Sequence, residues 1–170
     1  MPKTKGQGVV FGIFMSILME FGMGVYNTAI NAGYVSMPGG LSNMDNTVFL
    51  DVFKETAYMW IVVFVVSVLV GNPLAKKLAS RIICPEKDNP FFITLIISAC
   101  TVLIMCPTMS LVATVLFSYI FQHKPVTQFF AIWFGTLLKN FPMALLWNLF
   151  AAGPITRLCF RRIFKKQMTD

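Results

Sequence analysis

Charged side chains are scarce in this chain of 170 residues, of which 12% are charged and 56% hydrophobic. So apolar a composition, with a mean hydropathy of +0.71, excludes a soluble domain of this size and predicts an integral membrane protein. Cysteine and histidine are also rare. The four cysteines include no CxxC pair and the chain has one histidine, so neither a zinc site nor a disulfide framework is supported.

Catalytic patterns are missing as well. The single histidine, His123, has no nucleophile near it in the sequence, and there is no phosphate-binding loop, so an enzyme is not expected. Acidic residues number seven against fourteen basic ones. The basic residues gather at the ends of apolar runs, which is typical of membrane topology signals, and binding to nucleic acid is therefore not expected.

Four apolar runs are each long enough, at ~1.5 Å per helical residue, to cross a hydrocarbon core of ~30 Å. We therefore predict an all-α membrane protein with four transmembrane helices. The first run follows two lysines but has no A-x-A-like cleavage site, so we expect it to remain as a span. The four runs extend from about Val9 to Gly33, Phe49 to Gly71, Phe91 to Phe121 and Phe129 to Phe150.

Basic residues outside the runs lie almost entirely on one side of the predicted membrane. Only Lys124 falls on the opposite side. By the positive-inside rule both termini and the central loop are predicted to be cytoplasmic. The residues that carry this bias are Lys3, Lys5, Lys76, Lys77, Arg81, Lys87, Arg157, Arg161, Arg162, Lys165 and Lys166.

Two similar motifs, Asn72-Pro73-Leu74 and Gly153-Pro154-Ile155, follow apolar runs and begin short basic tails 81 residues apart. We interpret them as a tandem repeat of a two-helix unit with a basic amphipathic tail. The first repeat is predicted to comprise residues 1–83 and the second repeat residues 91–166, with residues 84–90 as a cytoplasmic linker. An even number of spans in each repeat makes the two repeats parallel. Each tail is expected to lie at an anionic lipid surface.

Lys139 stands in the middle of the fourth run, where an unpaired ammonium group is costly. Three residues later Pro142 has no N–H for the carbonyl of Leu138. The expected partner of the lysine is Glu20 of the first run. By helical rise Glu20 lies ~16 Å and Lys139 ~21 Å from the cytoplasmic ends of their spans, which predicts an ion pair near the midplane.

Small and polar residues recur every three or four positions along the first run, which places them on one stripe of the helix. Such a stripe has to face protein or water inside a membrane. We predict a polar cavity between spans one, three and four, with helix breaks at Pro107 and Pro142. The predicted ligand or proton site contains Glu20, Asn27, Asn31, Thr108, Lys139, Asn140 and Trp147. The alternative is that a Glu–Lys pair only fixes the helix register.

Three stretches resemble a known family: RIICPEKDNP from Arg81, MCPTMSLVAT from Met105 and NFPMALLWNLFAAGPITRLCFRRIF from Asn140. The sequence is similar to the small bacterial membrane proteins of the domain-of-unknown-function 2798 family over nearly its whole length. The resemblance implies a duplicated two-helix domain in a bacterial cytoplasmic membrane. It implies no activity and no catalytic residues.

The function expected from these residues is binding and export of a hydrophobic or amphipathic small molecule, cations included, through the cavity around Glu20. A homodimer through the Gly8-Gly12-Ser16 face is expected. Two alternatives stay open: a protein that binds haem or another hydrophobic cofactor without transport, with His123 as a candidate axial ligand, and a non-transporting scaffold or partner subunit. Asp51, Lys54 and Glu55 are interpreted as a charge cluster at a hydrated helix end.

Overall fold

A computed structural model describes residues 5–38, 40–83, 90–116 and 128–164, and within these ranges all regular structure is helical. Two five-residue π-helical segments, Ser67–Gly71 and Asn148–Ala152, each lie between two α-helices. The connection between the first two long helices contains two short 3-10 turns, Tyr34–Ser36 and Gly40–Asn43. The α-helices are α1 Lys5–Asn31, α2 Thr47–Val66, α3 Asn72–Ala79, α4 Pro90–Ala113, α5 Phe129–Trp147 and α6 Gly153–Ile163.

Four helical stretches are long and apolar enough to cross a membrane, which confirms the predicted number of spans. Many of their large apolar side chains point away from the protein, including Phe150 and Leu69, which are 78% and 70% exposed. Such a surface suits lipid rather than water. The predicted end of the third run, Phe121, lies outside the described residues. The four stretches are Gly6–Asn31, Thr47–Ala79, Leu95–Leu116 and Phe129–Ile163.

The sequence had led us to expect that the two proline motifs end their helices. In the structure the helices continue through both motifs. The chain stays helical from α2 through a π-helical segment into α3, and from α5 through the second π-helical segment into α6. Pro73 and Pro154 are the second residues of α3 and α6, directly after the π-helical segments. Likewise α4 and α5 continue through Pro107 and Pro142.

The chain divides into two compact units, Met1–Phe64 with Phe150–Asp170, and Val65–Leu149. In the first unit α1 lies against α2. A Cβ atom on Gly24 would come within 2.9 Å of Val52 Cγ1, so only glycine allows this approach of the two helices. Phe21 and Phe53 make an edge-to-face contact with their ring centroids 5.6 Å apart.

The same unit contains the contact between α6 and α1. Phe160 is 2% exposed, and its ring meets Phe11 edge to face at a centroid distance of 5.7 Å. One turn earlier, the fully buried Thr156 directs its hydroxyl to the sulfur of Met15 at 3.5 Å. The basic side chains Arg161 and Arg162 remain exposed. The short helix therefore has one packed side and one charged side.

In the second unit α3 packs against α4. Ala75, Ala79 and Cys100 form its buried core, with Ile96 and Ile97 against them. The preceding Gly71 lies against the flexible side chain of Met105, which would have to move to admit a methyl group at this position. On the other side α5 lies along α4, where the indole Nε1–H of Trp133 donates to the carbonyl oxygen of Pro107 at 3.1 Å.

The two short helices therefore pack in a reciprocal way. α3 comes from the first half of the sequence and packs on α4 of the second half, while α6 comes from the second half and packs on α1 of the first. Corresponding positions are used in the two contacts. Ala75 belongs to the buried cluster against which Ile96 packs. Thr156, which lies 81 residues after Ala75, contacts Met15, which lies 81 residues before Ile96.

We expect Phe160→Ala to lower the free energy of unfolding by about 3 kcal/mol or more, because a fully buried phenyl ring is removed. The measurement is the thermal unfolding midpoint of the purified protein in detergent. Leu158→Ala is the matched control, since Leu158 is 60% exposed on the same helix. Equal midpoints for the two variants would contradict the packing of α6 on α1.

Candidate functional site

Two carboxylic acids, Glu20 of α1 and Glu55 of α2, form the candidate site in the first unit. Both side chains are half-buried and lie near enough to each other for their charges to interact. Glu55 lies among the buried positions Val52, Thr56 and Met59 of its helix. The spacing of three and four residues places these positions on one side of α2.

Other charged residues of α2 behave differently. Asp51 and Lys54 are exposed and form an ion pair of 3.9 Å between Nζ and Oδ1. The predicted charge cluster at a hydrated helix end therefore describes these two residues. Glu55 does not share that environment, because it is half-buried and interacts with a carboxylate of another helix.

Two like charges in a partly buried setting repel each other more strongly than they would in water, because the surrounding dielectric constant is lower. A proton on one acid, or a cation between the two, removes that repulsion. The pair can therefore bind either a proton or a positively charged group, but it gains little from binding an anion or a neutral apolar molecule.

The structure distributes the predicted site residues between the two units. Asn27 is half-buried in α1 and Asn31 is exposed at the end of that helix, in the unit that contains Glu20. The remaining residues lie in the second unit. There Asn140 is buried and the hydroxyl of Thr108 donates to the carbonyl of Ile104 at 2.8 Å.

Lys139 and Trp147 are half-buried residues of α5 in the second unit. Because Glu20 belongs to the first unit, the proposed ion pair between Glu20 and Lys139 stays a prediction. His123, the candidate haem ligand, lies outside the described residues.

Sequence reasoning missed two residues, Glu55 and Asn148. Glu55 was grouped with its charged neighbours, although its spacing of three from Val52 and four from Met59 assigns it to the buried side of α2. Asn148 is 2% exposed and follows Asn140 by eight residues, with the buried Ala144 between them. A repeat of four residues along one helix was the available signal.

The Gly8-Gly12-Ser16 face of α1 is partly covered by other residues of the protein. A Cβ atom on Gly12 would approach Phe64 of α2 to 3.1 Å, and Ser16 is buried. Gly8 is exposed and has open space around its α-carbon. The homodimer through this face stays a prediction, and Gly8 is the member of the stripe that remains available to it.

Four apolar spans and acidic groups inside one of the units define the class as a small polytopic α-helical membrane protein. A family model described as "Domain of unknown function (DUF2798)" matches residues 4–83 and again residues 87–164. The chain belongs to this family, as the resemblance of its motifs predicted. The family description carries no activity.

One relative is the "Uncharacterized protein YybC" of Bacillus subtilis (strain 168). It is 28% identical over 169 residues, which cover 99% of this chain and 98% of that protein. No solved structure matches the chain significantly.

We expect Glu20→Gln and Glu55→Gln each to raise the unfolding midpoint at pH 9, where the pair no longer holds a proton, because either change then removes the repulsion between the carboxylates. A gain of about 1 kcal/mol corresponds to roughly 2–4 °C in a protein of this size. The double variant should gain less than the sum, since one repulsion can be relieved only once. Asp51→Asn, at an exposed acid of the same helix, is the control. Additive gains would contradict the interaction.

Proposed function

We propose that this protein binds an amphipathic or hydrophobic cation within the membrane and exports it in exchange for protons. The observation that carries the proposal is the pair of half-buried carboxylates, Glu20 and Glu55, on two apolar helices of one unit. Ionisable groups inside membrane spans usually mark substrate or proton pathways. A pair of acids selects positive charge.

The mechanism follows from the requirement that the two acids share one positive charge. When the pair holds a proton, its net charge matches that of the pair with a bound monovalent cation. Binding of the cation therefore releases the proton, and protonation on the other side of the membrane releases the cation. Both forms avoid two adjacent negative charges in a medium of low dielectric constant. Asn27 on α1 supplies a further polar group in this unit.

The tandem repeat and its orientation belong to the same proposal. The family model matches two consecutive ranges of the chain, and the two π-helical segments start at Ser67 and Asn148, 81 positions apart. These observations support two copies of one two-helix unit. An even number of spans in each copy, with basic residues at both tails, supports cytoplasmic termini in a bacterial cytoplasmic membrane.

We expect Glu20→Gln to abolish ethidium-driven proton movement in proteoliposomes, because the amide can neither bind nor release a proton. The measurement is the fluorescence of a pH-sensitive dye inside the vesicles after ethidium is added outside. Asp51→Asn should retain the activity of the native protein, since Asp51 is exposed and paired with Lys54.

Proton movement at the native rate in Glu20→Gln would refute the proposed function. If Glu20→Gln fails to accumulate in the membrane while Asp51→Asn accumulates normally, Glu20 has a structural role instead. In that case Glu55→Gln tests the proposed function. A site shared by the two acids predicts that Glu55→Gln also loses ethidium-driven proton movement.

Cytoplasmic termini predict that green fluorescent protein fused after Asp170 is fluorescent in bacterial cells and that alkaline phosphatase fused there is inactive. The same two reporters fused after Asn43, in the connection between α1 and α2, should give the opposite results. An active phosphatase after Asp170 would reverse the proposed orientation.

A further inference from the structure

The exposed side of α3 carries an apolar residue followed by two cations. Leu74, Lys77 and Arg81 follow one another at spacings of three and four residues, and all three are exposed. That spacing places them on one side of the helix. Arg81 lies in the turn that directly follows α3, where its N–H donates to the carbonyl oxygen of Leu78 at 3.2 Å. These three residues, which we call the α3 row, therefore lead from an apolar side chain to a guanidinium group.

The short helix of the other unit repeats this arrangement. Ile155, Leu158 and Arg162, the α6 row, have the same spacing and are exposed. Each lies 81 positions after its counterpart in the α3 row. Leucine takes the place of lysine in the middle, and Arg161 beside the row supplies a second exposed cation. Each unit therefore presents an arginine at the end of an exposed apolar stretch.

The cations of the two rows lack an acidic partner within the part of the chain that the structure describes. No carboxylate there forms an ion pair with Lys77, Arg81 or Arg162. Lys54 of α2, by contrast, is exposed but pairs with Asp51 at 3.9 Å. The whole chain has fourteen basic residues and seven acidic ones, so its own acids cannot balance all of its cations. Anions from the surroundings therefore fit the two rows.

The position of the rows along the apolar helices favours lipid headgroups as those anions. The helical stretches that end in α3 and α6 contain 33 and 35 residues, whereas ~20 helical residues cross the hydrocarbon core. The rows occupy the ends of these stretches, where the phosphate groups of a bilayer lie and the acyl chains begin. The exposed apolar side chains of each row favour a lipid over a soluble phosphate.

We propose that the α3 row and the α6 row each bind one anionic phospholipid, with the phosphate on the arginine and an acyl chain along the apolar residues. A guanidinium group donates two parallel hydrogen bonds to phosphate oxygens, whereas a lysine ammonium acts as a point charge. The second cation at each row favours a headgroup of net negative charge over a zwitterionic one, whose own ammonium group offsets the phosphate. This inference is independent of the proposed cation export.

Native mass spectrometry of the full-length protein counts the lipids bound to each chain and measures their affinity. The probes are phosphatidylglycerol and phosphatidylcholine with identical acyl chains, added to the protein in non-ionic detergent. We expect two tightly bound phosphatidylglycerol molecules per chain and about fivefold weaker binding of phosphatidylcholine. Arg81→Gln and Arg162→Gln should each weaken one site by about fivefold and leave the other site unchanged.

Conservative and control variants separate a phosphate site from a general effect of charge. Arg81→Lys keeps the charge and should retain only part of the affinity, because lysine cannot form the paired hydrogen bonds. Lys54→Gln removes an exposed cation that follows the exposed Leu50 by four residues but is paired with Asp51, so both sites should keep their native affinity. All of the changed side chains are exposed, and the variants should unfold at the native midpoint in detergent.

Three results would overturn the inference. The first is equal affinity of the native protein for the two phospholipids. The second is native phosphatidylglycerol binding by the Arg81→Gln/Arg162→Gln double variant, because the lipids would then occupy another surface, or an equal loss in Lys54→Gln. The third is displacement of the lipids by an equal concentration of glycerol phosphate, which has the phosphate but no acyl chain and would make the rows sites for a soluble anion.

Discussion

The contact between each short basic helix and a long apolar helix from the other half of the chain is the interaction that holds each unit together. Lipid chains are as apolar as leucine, so helices in a membrane associate through close packing rather than through the hydrophobic effect. Small or well-fitted residues provide that packing, Ala75 and Ala79 on α3 and Thr156 and Phe160 on α6. Neither half of the sequence therefore supplies a complete set of contacts for its own tail.

Polar groups in this protein follow two different rules. Threonine hydroxyls on α4 and α5 donate to the backbone of their own helix and need nothing from outside. The acids Glu20 and Glu55, and the amides Asn140 and Asn148, are placed where their own unit leaves a charge or an acceptor uncompensated. Groups of this second kind are costly in a low-dielectric interior, and function is the usual reason that such a cost is tolerated.

Hydropathy alone was enough to predict the four spans and the membrane class, because length and apolar content are properties of single helices. The course of the chain at the proline motifs was not predicted, since sequence shows where an N–H is missing but not that a π-helical segment precedes Pro73 and Pro154. Glu55 was misassigned because its charged neighbours Asp51 and Lys54 obscured its place on the buried side of α2. Which residues meet across helices depends on packing, which no periodicity encodes.

The first π-helical segment also shifts the sequence pattern of buried positions by one residue. Buried positions on α2 are Val52, Thr56, Met59 and Val63, and an uninterrupted α-helical pattern would place the next ones near 70 and 74. The buried residues are instead Gly71 and Ala75. A π-helical turn holds about one residue more than an α-helical turn, so each buried position after it falls one residue later in the sequence. The extra residue thereby gives the buried positions to the small residues Gly71 and Ala75 and leaves Lys76 and Lys77 exposed.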